Sequence, residues 1–165
     1  MRNLYLSLGT NLGDRIRNME EAFGYLQRKG NIKRKSSFYQ SESWGYQSKN
    51  HFVNCCLIWE CELEPLEALE YLKWIEREMG RKYKATGEKY TDRSIDLDII
   101  FVDQEKIDND ELKVPHVHYK QRRFVLEPLA EIAPEWTDPE DGKSMKEYLD
   151  LCSDRLGVSK IFLDK

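Results

Sequence analysis

The sequence predicts an α+β fold, a ferredoxin-like (split βαβ) sandwich with a mainly antiparallel sheet and helices packed on it. Three observations carry this. Apolar residues alternate with a period of two in several short stretches, they recur at three- and four-residue spacing in others, and the order reads strand, helix, strand, strand, helix, strand. With 165 residues, 40% of them hydrophobic and 12% aromatic, the chain is long enough to close one core, so residues 1–165 are read as a single domain.

Residues 3–8 alternate Leu4, Leu6 and Leu8 with Asn3, Tyr5 and Ser7, which marks a strand with one buried face. The turn-rich string Gly9-Thr10-Asn11-Leu12-Gly13-Asp14 ends it. Ile16, Met19, Ala22, Phe23 and Leu26 then follow helical spacing, giving an amphipathic helix that ends near Gly30. Residues 32–41 read as a second strand, 42–50 as a polar loop, and 52–63 as a third strand. Pro65 opens a second helix, where its missing N–H costs nothing, and Leu66, Leu69, Leu72, Ile75 and Met79 form its apolar stripe up to Gly80. Residues 81–94 hold almost no aliphatic side chain and read as a loop before the strand 95–102. After a polar excursion at Asp108-Asn109-Asp110, residues 124–132 and 146–151 are expected to be helical and 158–163 to form a short last strand.

Composition excludes several classes of function. No apolar run approaches the roughly 18 residues of a membrane span, and Asp14 interrupts the start before a signal-peptide core forms. The expected setting is therefore cytoplasmic, with no membrane partner. Cys55, Cys56, Cys61 and Cys152 form no CxxC pair and are expected to be reduced thiols packed as small apolar groups. Thirty acidic residues against 26 basic ones argue against nucleic acid as a partner. Small molecules are the partners expected, and the chain is read as a monomer.

The strongest chemical signal is Ile95-Asp96-Leu97-Asp98-Ile99-Ile100. On a strand, Asp96 and Asp98 project together while Ile95, Leu97 and Ile99 pack on the other side, and paired hard carboxylates suit Mg²⁺. An ordinary solvent-facing strand explains so short a motif equally well. Arg81 and Arg93 flank the acidic pair in a loop with little packing of its own, and guanidinium forks suit phosphate oxygens. A solvated, charge-rich loop explains each arginine taken singly. His116 and His118 lack a third histidine or a cysteine nearby in sequence, which disfavours zinc and leaves a phosphate contact at His116 or a plain surface pair. Phe52 and Phe124 could stack on a flat heterocycle, with Asn54 on the face of Phe52 offering an amide, although single aromatics more often belong to the core. There is no G-x-x-x-x-G-K-[ST] and no G-x-G-x-x-G, so a nucleotide would not be held by either of those loops.

In combination these residues resemble one family, the 6-hydroxymethyl-7,8-dihydropterin pyrophosphokinases of folate biosynthesis. The blocks that carry the resemblance are Leu8-Gly9-Thr10-Asn11-Leu12-Gly13-Asp14-Arg15; Ser36-Ser37-Phe38-Tyr39 with Gly45 and Phe52-Val53-Asn54; Ile75-Glu76 with Gly80-Arg81; Arg93-Ser94-Ile95-Asp96-Leu97-Asp98-Ile99; and Pro115-His116 with Arg122-Arg123-Phe124-Val125-Leu126, Pro128-Leu129 and Glu131-Ile132-Ala133-Pro134. The resemblance implies a transferase that moves a pyrophosphoryl group from ATP to the hydroxymethyl oxygen of 6-hydroxymethyl-7,8-dihydropterin and releases AMP. It implies two Mg²⁺ ions held by Asp96 and Asp98, catalytic roles for both aspartates and for Arg81 and Arg93, and phosphates neutralised by Arg81, Arg93, His116 and Arg122. It also implies an ATP site with Glu76, Lys89, Tyr90, Ile99 and Leu112. Phe52 and Phe124 would sandwich the pterin, Asn54 would read its edge, and Ser41, Ser43 and Trp44 would belong to the loop that wraps it. Asp98 is the candidate acceptor of the hydroxyl proton, and the loops 42–50 and 82–92 are the expected lid.

The chain departs from the family pattern at Ser41-Glu42-Ser43, Tyr83, Val117 and within 89–93. A metal-dependent phosphohydrolase, or a non-catalytic ferredoxin-like binding module, would accommodate the acidic pair. Neither accounts for it together with the aromatic and amide set.

Overall fold

Alternation in β1 (Arg2–Thr10) drives Leu4, Leu6 and Leu8 into one packing layer and leaves Tyr5 for the opposite one. The computed structural model describes residues 1–42, 50–80 and 94–163. Asp14 caps α1 (Arg15–Gln27) by accepting the Arg17 N–H at 3.1 Å, and Met19, Ala22, Phe23 and Leu26 are the helix's buried stripe. β2 (Gly30–Lys35) and β3 (Tyr39–Ser41) both pair antiparallel with β4 (Phe52–Cys61).

β2 and β3 are two halves of the single strand expected over 32–41. Ser36 interrupts it: its N–H bonds Cys56 O at 2.9 Å, while its Oγ accepts the Cys56 N–H at 3.0 Å and donates to Ser37 O at 2.7 Å. A hydroxyl so takes over one ladder bond and lets the backbone turn out of the sheet.

α2 (Pro65–Glu78) starts with Pro65 in its first turn and a capping box between Glu64 and Glu67. Gly80, at φ +89°, supplies the left-handed residue after its last turn. β5 (Asp96–Val102) pairs with β1, and Ile100 is an extra residue in that register. Through this bulge Ile100 and Phe101 both face the second layer while Val102 returns to the first. β6 (Ile107–Asp108) and β7 (Lys113–Val114) make a small hairpin that the polar excursion at 108–110 concealed, because two-residue strands leave no periodicity. Asn109 builds its turn by accepting the N–H groups of Glu111 and Leu112 at 2.9 and 2.8 Å. A 3₁₀ turn (Tyr119–Gln121), α3 (Arg123–Ile132), α4 (Met145–Leu151) and β8 (Val158–Lys160) complete the chain.

The sheet order is β5-β1-β4-β3-β8, with β2 also on β4. With β2 and β3 counted as one interrupted strand, this is the expected ferredoxin-like order extended by β8. One core lies between the sheet and α1 and α2, the other between the opposite face and α3 and α4. All four cysteines are free and buried, as the sequence indicated. Among the described residues no helix is long and apolar enough to cross a membrane.

Two glycines close together in sequence play opposite parts. The Trp59 Nε1–H caps α1 from the neighbouring strand, donating to Leu26 O at 3.0 Å. That brings the chain so close that a Cβ on Gly30 would lie 2.3 Å from Glu60 O and 2.8 Å from Trp59 Nε1. Gly24, inside α1, would carry a Cβ with nothing within 4 Å. Gly30→Ala is therefore expected to cost roughly 2–3 kcal/mol through forced backbone displacement, whereas Gly24→Ala should add about 0.5–1 kcal/mol. Urea unfolding of the two variants checks this, and equal midpoints would contradict it.

Candidate active site

Register places the site. β1 sets Gly9 opposite Asp96 and Ser7 opposite Asp98; β4 sets Asn54 opposite Gly9, and β3 sets Ser41 opposite Phe52. Paired residues share a face, as do residues two apart, so the acidic pair, Asn54, Phe52 and Ser41 all line the side of the sheet that carries α3. Two strand spacings of about 4.8 Å put the acidic row roughly 10 Å from Asn54. On the opposite face Leu97 and Ile99 are buried in the core with α1 and α2.

Asp98 is flanked by two basic side chains from outside the sheet. Arg122, buried just before α3, has its Nη1 3.8 Å from Asp98 Oδ2, and its guanidinium carbon lies 5.8 Å from the centre of the Phe124 ring. His116 is anchored by its N–H to Ile100 O at 3.0 Å, and its Nε2 lies 4.0 Å from the same Asp98 oxygen. The His116 Nδ1 accepts the His118 N–H at 3.1 Å, which leaves the ring proton on Nε2, facing Asp98. Burial, reinforced by Arg122, holds the imidazole down at about 4. At neutral pH, with no ligand bound, His116 is an uncharged hydrogen-bond donor.

The amide end is equally fixed. Asn54 Nδ2 donates to Ser41 Oγ at 2.7 Å, and both residues are buried. A Cβ on Gly9 would come within 3.4 Å of Asn54 Oδ1 and 3.5 Å of Phe52, so glycine keeps the floor between the amide and the acidic pair low. Phe124, in the first turn of α3, and Phe52, at the start of β4, are both half-buried.

Three residues expected at the ATP site make internal contacts. Glu76, 8% exposed, accepts the Leu97 N–H at 2.9 Å through Oε2, so it grips β5 between the two aspartates. Ile99 and Leu112, 4% and 6% exposed, belong to the core with α1 and α2. Ser43, Trp44, Arg81, Lys89, Tyr90 and Arg93 lie outside the described residues, as do most of the loops 42–50 and 82–92. Ser7 and Gly9 join the site through register alone; their own alternation or turn pattern carries no sign of it.

Among the described residues no three His, Cys, Asp or Glu side chains converge as a complete metal cage. Two carboxylates on one strand face form an oxygen-only partial shell, which fits a hard cation that completes its coordination with water and phosphate oxygens.

The sequence pattern described as 7,8-dihydro-6-hydroxymethylpterin-pyrophosphokinase matches residues 5–134. The 2-amino-4-hydroxy-6-hydroxymethyldihydropteridine pyrophosphokinase of Porphyromonas gingivalis is 42% identical over 142 residues, covering 85% of this chain and 96% of that protein. The enzymes of the same name from Aquifex aeolicus and Bacillus subtilis are 37% and 36% identical, covering 90% and 80% of this chain and 91% and 79% of their own. A crystal structure of HPPK-DHPS in complex with substrates superposes with a TM-score of 0.72 at 15% identity, and the Plasmodium falciparum HPPK-DHPS structure with pteroate does so with 0.72 at 14%. Each covers 91% of this chain, which spans 43% and 44% of those longer chains, and at such identity the likeness shows the fold alone.

Because His116 titrates well below its ordinary 6.5, the unfolded chain takes up a proton near pH 6 that the folded, ligand-free protein refuses. Stability is expected to be retained above pH 6.5 and to fall as pH drops towards 4, with a His116 share of roughly 1.4 kcal/mol per pH unit at most. Urea unfolding of the parent and of His116→Gln across this range tests the assignment, and identical pH slopes would count against it.

Proposed function

The chain belongs to the 7,8-dihydro-6-hydroxymethylpterin-pyrophosphokinase family, and from that premise we propose how its own residues divide the work of pyrophosphoryl transfer from ATP to 6-hydroxymethyl-7,8-dihydropterin. The observation that carries the reading is the single sheet face on which β5 presents the acidic pair and β4 the amide and aromatic pair. A phosphohydrolase needs the first of these and has no use for the second.

In the proposed arrangement Phe52 and Phe124 stack on the pterin, and Asn54, oriented by Ser41, reads its edge. Asp96 and Asp98 are the residues that would hold Mg²⁺, two ions by resemblance to the family; when bound, Mg²⁺ supplies neutralisation of the triphosphate. Arg122 contributes a fixed cation beside Asp98, and the His116 Nε2–H contributes a neutral donor. The pterin's alcohol oxygen gives its proton to the Asp98 carboxylate and forms a bond to the β-phosphorus, while the bond from that phosphorus to the α,β-bridging oxygen breaks and its electron pair leaves with AMP. Little covalent chemistry falls to the protein, so the rate depends on holding the two substrates in line and keeping water out. Arg81 and Arg93 complete the phosphate contacts in this reading. The bulk partners are the two small molecules, the protein acts as a monomer, and its setting is the cytoplasm.

Incubation with ATP, Mg²⁺ and 6-hydroxymethyl-7,8-dihydropterin is expected to yield AMP; formation of ADP would overturn the reading. Asp96→Ala and Asp98→Ala should each lower kcat by about a hundredfold or more with the circular dichroism of the parent, whereas Phe124→Ala should chiefly raise the KM for the pterin. Full turnover in either aspartate variant would remove the metal assignment.

A further inference from the structure

Residues 152–160 lie beyond the stretch that carries the family pattern, yet they hold both sides of the pterin site argued above. At one end they grip the first turn of α3. Asp154 Oδ2 accepts the Arg123 N–H at 3.0 Å, and the backbone carbonyls of Asp154 and Cys152 accept the Arg123 guanidinium N–H groups at 3.1 Å each. Arg123 stands between Arg122 and Phe124, so these bonds decide where α3 begins and where its stacking ring is placed. A carboxylate on a helix's opening N–H group also complements the positive end of the helix dipole.

At the other end the segment becomes β8. Asp154 Oδ1 accepts the Leu156 N–H at 3.0 Å and turns the chain, after which Val158 pairs opposite Ser41 and Lys160 opposite Tyr39. The Ile161 N–H extends this ladder to Phe38 O at 2.8 Å. β3 is three residues long, and such a strand with one side open would be weakly held; β8 supplies its second partner. Ser41, held this way, is the acceptor that orients the Asn54 amide, and Gly157, Val158 and Ser159 line a cavity of about 290 Å³ beside it. Glu131 on α3 ties the two ends together, accepting the Ser37 N–H at 2.9 Å and pairing with Lys160 at 3.8 Å.

We propose that residues 152–160 are a positioning strap for the pterin, setting the interval between Phe124 on α3 and the Ser41–Asn54 pair on the sheet. The strap rests on the pterin reading of that face. β5, with the acidic pair, is at the far edge of the sheet, and Arg122, though next to Arg123, has its guanidinium held there beside Asp98 at 3.8 Å, so the strap acts chiefly on pterin binding.

The test uses the full chain with Asp154→Ala, and Asp154→Asn as the conservative variant that keeps an oxygen for the Arg123 N–H. Asp154→Ala should raise the KM and Kd for 6-hydroxymethyl-7,8-dihydropterin about fivefold to tenfold, with kcat and the Kd of a nonhydrolysable ATP analogue within about twofold of the parent. Asp154→Asn, whose single oxygen replaces one of the two acceptors, should recover part of the pterin affinity. Unchanged pterin affinity in Asp154→Ala, or equal loss of pterin and nucleotide affinity, overturns the strap. Should the parent itself form no AMP and bind no pterin, the functional reading fails on its own account. The strap is then read from amide exchange of residues 39–41 and 123–126, which Asp154→Ala must accelerate; unchanged exchange refutes it.

Discussion

The pairing of β5 with β1 is the constraint on which the site depends. Side chains alternate along a strand, so a slip of one residue would turn Asp96 and Asp98 into the core beneath α2 and bring Leu97 and Ile99 out to the solvent face. Several forces oppose that slip. Leu97, Ile99 and Val102 bury themselves on one side and Ile100 and Phe101 on the other, with the bulge at Ile100 fixing the phase. Glu76 adds a directional bond, because its buried carboxylate accepts the N–H that lies between the two aspartates. A buried carboxylate left without such a donor would be costly, so α2 and β5 hold each other in register.

Electrostatics at the acidic pair follow from which partners are charged and which are not. Arg122 is buried where its charge is balanced by Asp98. Burial disfavours a charged imidazole at the neighbouring His116, and the Arg122 cation beside it adds to the effect, so His116 gives up its proton. The result is a permanent charge and a neutral donor side by side at Asp98.

The other half of the site is built from weak pieces made firm by their neighbours. β3 has three residues and α3 starts without a side-chain cap of its own from Arg122. Each is steadied from a distance: β3 by β4, β8 and Glu131, and α3 by Asp154. Tyr119, fully buried, donates its hydroxyl to Asp138, itself buried, and so fastens the turn before α3 to the segment that leads into α4. Phe124 and the Ser41–Asn54 pair thus sit on a surface steadied largely by the C-terminal third of the chain.

Much of this was determined by the sequence itself. Period-two alternation identified β1 and β5, helical spacing identified α1 and α2, and the five blocks from Leu8 to Pro134 carried the family. These are local or near-local patterns, and local backbone preference with side-chain alternation is enough to express them. The tertiary structure alone decided the rest. Glu76 reads in sequence as one more carboxylate near a ligand site, and only the approach of α2 to β5 turns it into the acceptor for Leu97. The protonation of His116 depends on a buried arginine and on the depth of the fold around it. Asp154 has a polar, unremarkable neighbourhood in the chain, and its bond to Arg123 spans 31 residues. Such assignments arise from desolvation and from contacts between segments distant in sequence, quantities that exist only once the chain has closed on itself.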